Sequence, residues 1–178
     1  LRCLVGSEMC IRDSRYSGNW SNSKRSGKGT YVFAGDKKDI LDNPVHLYFN
    51  GSRYVGEWKE NKFHGKGSFK YLNGDTYDGE WKMDKREGKG LFVSKDGEHY
   101  DGEWARDEKN GFGEMDFING NRYVGDWKNG IIEGKGKMIF SNGATYEGEW
   151  LKNKQHGEGT QIFTSGEQYI GNWDQGIR

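Results

Sequence analysis

Cysteine is scarce in this sequence: Cys3 and Cys10 are the only two, and both lie within the first fourteen residues. A disulfide framework is therefore excluded for the rest of the chain, and this usage is typical of a reducing compartment. The four histidines are scattered, and no Cys/His spacing matches a metal-binding motif. We predict no metal site, no cofactor and a cytoplasmic location.

Net charge is also absent, since 27 lysine and arginine residues balance 27 aspartate and glutamate residues. Nucleic-acid binding is not predicted, because it needs a basic stripe. The two basic clusters, Ser21–Arg25 and Lys82–Arg86, are small, so direct lipid binding is a weaker alternative. No nucleophile stands in a catalytic motif and no glycine pair extends to a phosphate loop, so we predict that the chain is not an enzyme.

Hydrophobic residues are few, at 32% of the sequence, and proline occurs once. An ordinary two-layer core is hard to build from this composition. Low hydrophobicity alone would suggest disorder, but aromatic residues reach 15% and there are 29 glycines. All seven tryptophans occupy one position of a repeated motif, which predicts a repeat array.

The repeated motif is Tyr-x-Gly-x-Trp, and from Tyr54 onward it recurs every 23 residues. A Gly-x-Gly follows each complete motif, and a glycine dipeptide such as Asn73-Gly74 precedes each later tyrosine. Such dipeptides accept the positive φ angles of tight turns, so each repeat is predicted to be a strand, a loop, a second strand and a turn. The predicted structural positions are Tyr54, Gly56, Trp58, Tyr77, Gly79, Trp81, Tyr100, Gly102, Trp104, Tyr123, Gly125, Trp127, Tyr146, Gly148 and Trp150.

Alternation along a strand places the tyrosine, glycine and tryptophan of each motif on one face. We expect a loop at residues 59–64, and large rings lying flat on bare glycines. The predicted register pairs Tyr54 with Phe69, Gly56 with Gly67 and Trp58 with Gly65.

On the other face, the same register predicts charged pairs across the strands. The predicted pairs are Glu57 with Lys66, Glu80 with Lys89 and Asp126 with Lys135. Two repeats break the rule, because Phe112 and Glu158 stand where the others carry lysine and are predicted to face Glu103 and Glu149. The cross-strand pairs at those two positions either contribute less to stability or have another function.

The motif, the following Gly-x-Gly and the 23-residue step resemble the MORN (membrane occupation and recognition nexus) repeat over about residues 16–173. The resemblance implies an all-β fold, an elongated single-layer antiparallel sheet of stacked β-hairpins. It also implies a non-catalytic scaffold or docking module, peripheral to membrane or cytoskeleton. The alternative is a regulatory or membrane-targeting segment of a larger enzyme, such as a phosphatidylinositol phosphate kinase or a SET-type lysine methyltransferase.

The domain boundaries follow the period. Residues 1–14 lack it and do not begin with methionine, so we expect a non-native, disordered leader. The array covers 15–173, with repeats starting near 16, 54, 77, 100, 123, 146 and 169. An insertion at about 34–49 contains Ile40 and Leu41, and 174–178 is expected to be the truncated end of the last repeat.

A partner protein is the predicted ligand, bound as an extended peptide or a helix along aromatic residues of the sheet. Their alternative role is packing of the sheet itself. Unpaired terminal strands also favour end-to-end self-association. The candidate partner-binding residues are Phe69, Tyr71, Phe92, Phe117, Phe140, Phe163, Ile40 and Leu41.

Overall fold

The computed structural model describes residues 3–5, 8–11, 14–33 and 51–178, with side chains from Ser14 onward. The predicted insertion at 34–49, including Ile40 and Leu41, lies outside the described residues.

The described residues form β-strands joined by turns. The strands are β1 Cys3–Val5, β2 Glu8–Ile11, β3 Ser14–Ser21, β4 Lys24–Val32, β5 Arg53–Lys59, β6 Lys62–Lys70, β7 Thr76–Lys82, β8 Lys85–Val93, β9 His99–Ala105, β10 Glu108–Asp116, β11 Arg122–Lys128, β12 Ile131–Ile139, β13 Thr145–Leu151, β14 Lys154–Ile162 and β15 Gln168–Trp173.

Strand order in the sheet is the chain order. The chain divides into two compact units, one of Leu1–Gly88 with Phe92–Lys95 and one of Lys89–Leu91 with Asp96–Arg178. Antiparallel pairing links β1 to β7 in succession in the first unit, and β9 to β15 in the second. No helix occurs in the described part of the chain, and the predicted all-β fold of antiparallel hairpins is confirmed.

The turn inside each hairpin is tighter than predicted. β5 ends at Lys59 and β6 begins at Lys62, so only Glu60 and Asn61 form the turn. Both have positive φ angles, of 50° and 73°, which is the geometry that matches the twist of paired strands. The predicted loop at 59–64 was wrong, because this turn uses residues other than the glycine that usually marks it in a sequence.

A contact with the preceding repeat stabilises this turn. The Asn61 side chain accepts a 2.8 Å hydrogen bond from the amide of Arg25, and the Asn61 amide donates to the Arg25 carbonyl oxygen at 3.1 Å. Asp84 makes the same two contacts with Phe63, at 2.7 and 3.1 Å. These bonds offset the cost of a positive φ angle at a residue other than glycine.

The predicted register is confirmed at the open end of the hairpin and wrong at its turn. A β-bulge beyond Gly56 shifts the pairing, so that Trp58 faces Phe63 and not Gly65. Gly65 belongs to the bulge and has a φ angle of 58°, which only glycine adopts easily. The confirmed pairs are Tyr54 with Phe69 and Gly56 with Gly67.

The bulge also moves the charged pairs between repeats. Lys66 faces Glu80 of the next repeat, and Glu57 faces Lys28 of the preceding one. Lys135 likewise faces Glu149. The predicted pairs of Glu57 with Lys66 and of Asp126 with Lys135 were therefore wrong.

Two short strands, β1 and β2, precede the first repeat motif. β2 pairs with β3, the first strand of the array. Backbone hydrogen bonds need no side-chain motif, and the edge of a sheet offers unpaired N–H and C=O groups to any extended segment.

Candidate protein-interaction surface

The tyrosine of a repeat lies over two glycines of its own hairpin, as Tyr54 does over Gly56 and Gly67. The Tyr54 hydroxyl donates a 2.9 Å hydrogen bond to the Glu57 carbonyl oxygen. A Cβ atom at Gly56 or Gly67 would collide with the phenol, so the ring can lie here only because both residues lack a side chain. Six of these tyrosines are at most 1% exposed: Tyr16, Tyr54, Tyr77, Tyr100, Tyr123 and Tyr146.

Burial keeps these phenols neutral. Desolvation raises the pKa values of Tyr54, Tyr77, Tyr100 and Tyr123 well above their ordinary value. Each hydroxyl therefore remains a hydrogen-bond donor to a backbone carbonyl, which is a structural role.

The tryptophan of each repeat joins it to the preceding repeat. The indole Nε1 of Trp81 donates a 2.9 Å hydrogen bond to the carbonyl oxygen of Gly67. Its ring lies edge-on to Tyr77 of its own repeat and to Tyr54 of the preceding one, with centroids 5.0 and 5.6 Å apart. Equivalent hydrogen bonds join Trp58 to Gly29, Trp104 to Gly90, Trp127 to Gly113 and Trp150 to Gly136.

The residue that faces the tryptophan within a hairpin differs between repeats, and it is Arg25 opposite Trp20 and Lys109 opposite Trp104. Each of these two cations lies over the tryptophan of the following repeat. The Arg25 guanidinium lies 4.4 Å from the centroid of the Trp58 ring, and burial lowers the Arg25 pKa. The Lys109 ammonium lies 4.9 Å from the centroid of the Trp127 ring. The chain's own side chains thus cover these indoles.

The predicted partner-binding aromatic residues are not equivalent. Phe69 is 1% exposed and packs against Phe63 and Trp81. It faces Tyr54 on the side of the sheet that carries the motif tyrosines and tryptophans, which we call the ring-filled face. Phe69 therefore packs in the core and offers no surface to a partner. The half-buried candidates are Phe92 beside Arg86, and Tyr71, Phe117, Phe140 and Phe163, which each begin the turn between two hairpins.

The opposite face carries the second and fourth motif residues and the middle residue of Gly-x-Gly, and it is grooved in both units. The groove of the first unit has a volume of ≈ 480 Å³. The groove of the second unit has a volume of ≈ 450 Å³. We call this side the open face. The side chains that line the second groove are Phe112, Val124, Lys135, Lys137, Glu147, Glu149 and Glu158.

Some acidic side chains of the motif have a structural role at the bulge. The Asp126 carboxylate accepts a 2.8 Å hydrogen bond from the Lys135 amide. A Cβ atom at Gly134, whose φ angle is 121°, would collide with this carboxylate. The Asp126 carboxylate therefore occupies the space beside Gly134 that is free because glycine has no side chain.

Two side chains of the second groove depart from the repeat pattern. Phe112 is 54% exposed and faces Asp126, whereas Glu158 faces Asn172. The sequence showed that these positions were irregular but placed them in the wrong pairs, because the bulge has no signal in the residue alternation. Lysine occupies the equivalent position in four repeats, at Lys28, Lys66, Lys89 and Lys135.

In residues 14–33 and 51–178, no group of three or more His, Cys, Asp or Glu side chains could hold a metal ion. None of the described segments is a helix long and apolar enough to span a membrane.

Two solved structures are similar to this chain at low sequence identity. The TCP domain of SAS-4 from Drosophila melanogaster, in complex with a proline-rich motif of Ana2, is 11% identical with a TM-score of 0.50, covering 93% of this chain and 83% of that one. The TCP10 domain of CPAP from Danio rerio is 8% identical with a TM-score of 0.28, covering 94% and 84%. No curated protein sequence matches the chain.

The family comparison agrees with the period and with the hairpin structure. The MORN repeat model matches residues 16–36, 54–76, 77–99, 100–122, 123–145 and 146–168. Each match begins at the tyrosine that lies over the glycine pair. The chain therefore belongs to the MORN repeat family.

Proposed function

We propose that this chain is a non-catalytic, cytoplasmic protein-interaction module that binds an extended segment of a partner protein on the open face of its sheet. The single observation that carries the proposal is the difference between the two faces. Tyrosine and tryptophan rings fill one face and are buried there. The other face has grooves lined by apolar and charged side chains.

The shape of the second groove favours an extended segment. It crosses β10 to β14, so that a partner backbone would run over side chains of both signs of charge and over Phe112 and Val124. The SAS-4 TCP domain, which is similar in fold, was solved in complex with a proline-rich motif. That complex supports an extended peptide as the kind of partner.

A peptide-binding experiment tests the proposal. The full chain is used to select binders from a library of short random peptides, and the affinities of selected peptides are measured by calorimetry. Val124→Glu places in the groove the residue that Glu147 supplies in another repeat, so it is compatible with the fold. We expect it to weaken binding about tenfold, whereas Ile118→Glu, at an exposed turn, leaves the affinity unchanged.

Three results would contradict the proposal. The selection could yield no specific binder, or Val124→Glu and Ile118→Glu could bind equally well. Loss of binding in Phe140→Ala but not in Val124→Glu would place the partner on the turn aromatics instead of the open face. Thermal unfolding followed by circular dichroism checks that each variant is folded.

A further inference from the structure

We infer that the groove of the second unit selects an extended protein segment with an apolar residue at one point and a lysine or arginine about six residues away. The inference rests on the proposed function and adds the chemistry of the partner. Its basis is the pair of groove residues, Phe112 and Glu158, that replace the lysine of the other repeats.

Phe112 provides the apolar end. Its side chain is 54% exposed at the rim of the groove, which Val124 of the next strand also lines. A large exposed ring beside a second apolar side chain is the usual anchor of a protein interface. The lysines at the same position in the other repeats would reject an apolar residue there.

The charged side chains in the middle of the groove have partners of opposite charge within the chain itself. The Lys137 ammonium lies 3.2 Å from the Glu147 carboxylate. Lys135 faces Glu149 on the adjacent strand. These charges have partners in the protein, so they do not require an opposite charge on the bound segment.

Glu158 provides the charged end. It faces Asn172, a neutral side chain, and forms no ion pair within the described residues. Glu147, Glu149 and Glu158 all line the groove, against only Lys135 and Lys137. The excess carboxylate favours a cation on the partner, because complementary charge across an interface gives specificity.

The strand positions set the spacing. Phe112 lies on β10 and Glu158 on β14, four strand intervals apart. At about 4.8 Å per interval the separation is roughly 19 Å, which an extended segment spans in about six residues. The first unit carries Lys28 and Lys66 at the equivalent positions of its groove, so we expect it not to select this pattern.

Two substitutions that restore the repeat pattern test the inference. Phe112→Lys and Glu158→Lys each introduce the residue found in four other repeats, so both are compatible with the fold. The matched controls are Ile118→Lys, an exposed apolar turn residue, and Glu108→Lys, at the first residue of β10, whose equivalents include Lys24 and Lys62. Neither control residue lines the groove.

The expected results are specific to each end. Peptides selected by the full wild-type chain share the apolar and basic residues at the stated spacing. Phe112→Lys weakens their binding about tenfold, and Glu158→Lys about fivefold. A peptide whose basic residue is changed to glutamate binds wild type poorly and regains affinity for Glu158→Lys, while both controls bind like wild type.

The outcomes separate this inference from the proposed function. Selected peptides that lack the pattern, or a glutamate peptide that does not regain affinity for Glu158→Lys, would overturn the inference. The proposed function would still stand if Val124→Glu abolished their binding. Failure to select any peptide would overturn both.

Discussion

The indole Nε1 of Trp81 donates a 2.9 Å hydrogen bond to the carbonyl oxygen of Gly67, which lies in the preceding repeat. The same bond recurs at four other tryptophans, and the ring is edge-on to the tyrosines of both repeats it joins. Since a single repeat buries too little surface to fold alone, contacts of this kind between neighbours hold the array together.

Replacing this indole tests the contact. Trp81→Phe keeps an aromatic ring but leaves the Gly67 carbonyl oxygen without its donor, so we expect a loss of about 1–2 kcal/mol in the free energy of unfolding, beyond the effect of ring size. The control is Trp173→Phe, because the Trp173 Nε1 is buried without a hydrogen-bond partner among the described residues. Equal losses in urea unfolding would contradict the role given to the hydrogen bond.

The glycine beneath the phenol gives a second prediction. In Gly67→Ala the new Cβ atom would collide with the Tyr54 ring, and we expect a loss of about 2–3 kcal/mol. Gly166→Ala meets open space and suffers only from its φ angle of 86°, which costs about 1 kcal/mol. Urea unfolding of the two variants gives the comparison, and an equal or smaller loss for Gly67→Ala would show that the ring moves aside freely.

The sequence predicted the fold because aromatic rings on bare glycines leave a strict period. Alternation alone places Tyr54, Gly56 and Trp58 on one face, and the predicted pairs of Tyr54 with Phe69 and Gly56 with Gly67 are present. The bulge at Gly65 does not, because Glu60 and Asn61 adopt positive φ angles through a contact with the preceding repeat that no local pattern reveals. The error in register then displaced the predicted pairs of Glu57 with Lys66 and of Asp126 with Lys135.

The candidate site was less predictable than the fold for a related reason. Phe69 and Phe117 are both phenylalanines of second-strand segments, but Phe69 faces Tyr54 within the ring-filled face and Phe117 begins a turn. Burial depends on the rings contributed by neighbouring repeats. The open-face groove is formed by residues between the motif positions, which the aromatic pattern does not mark.

The turn contact between repeats gives a third prediction. Asp84→Gly removes the acceptor of the Phe63 amide without strain at the positive φ angle, so we expect a loss of about 1 kcal/mol and faster hydrogen exchange at that amide. Asp84→Asn keeps a side-chain oxygen at the same place and serves as the control. Unchanged exchange at Phe63 in Asp84→Gly would rule out the contact in solution.

Because these tyrosines are buried, the free energy of unfolding is expected to change with pH in the alkaline range. Burial raises the pKa values of Tyr54, Tyr77, Tyr100 and Tyr123 in the folded state above the value near 10 of an unfolded chain. Below pH about 10 both states are protonated and this contribution is fully present. As pH rises further only the unfolded state releases protons, so the free energy of unfolding falls.

The measurement is a titration followed by tyrosinate absorbance and circular dichroism together. We expect most of the tyrosinate signal to appear only as the sheet unfolds. Full ionisation near pH 10 with the sheet intact would contradict the burial of these phenols.

Site-specific photo-crosslinking distinguishes a peptide bound on the open face from one bound at the turns. A photoreactive phenylalanine derivative is placed at Val124 on the open face or at Phe117 at the turn, in the full chain with a library-selected peptide bound. We expect the peptide to be captured from position 124 and not from position 117. Capture from position 117 alone would contradict binding on the open face.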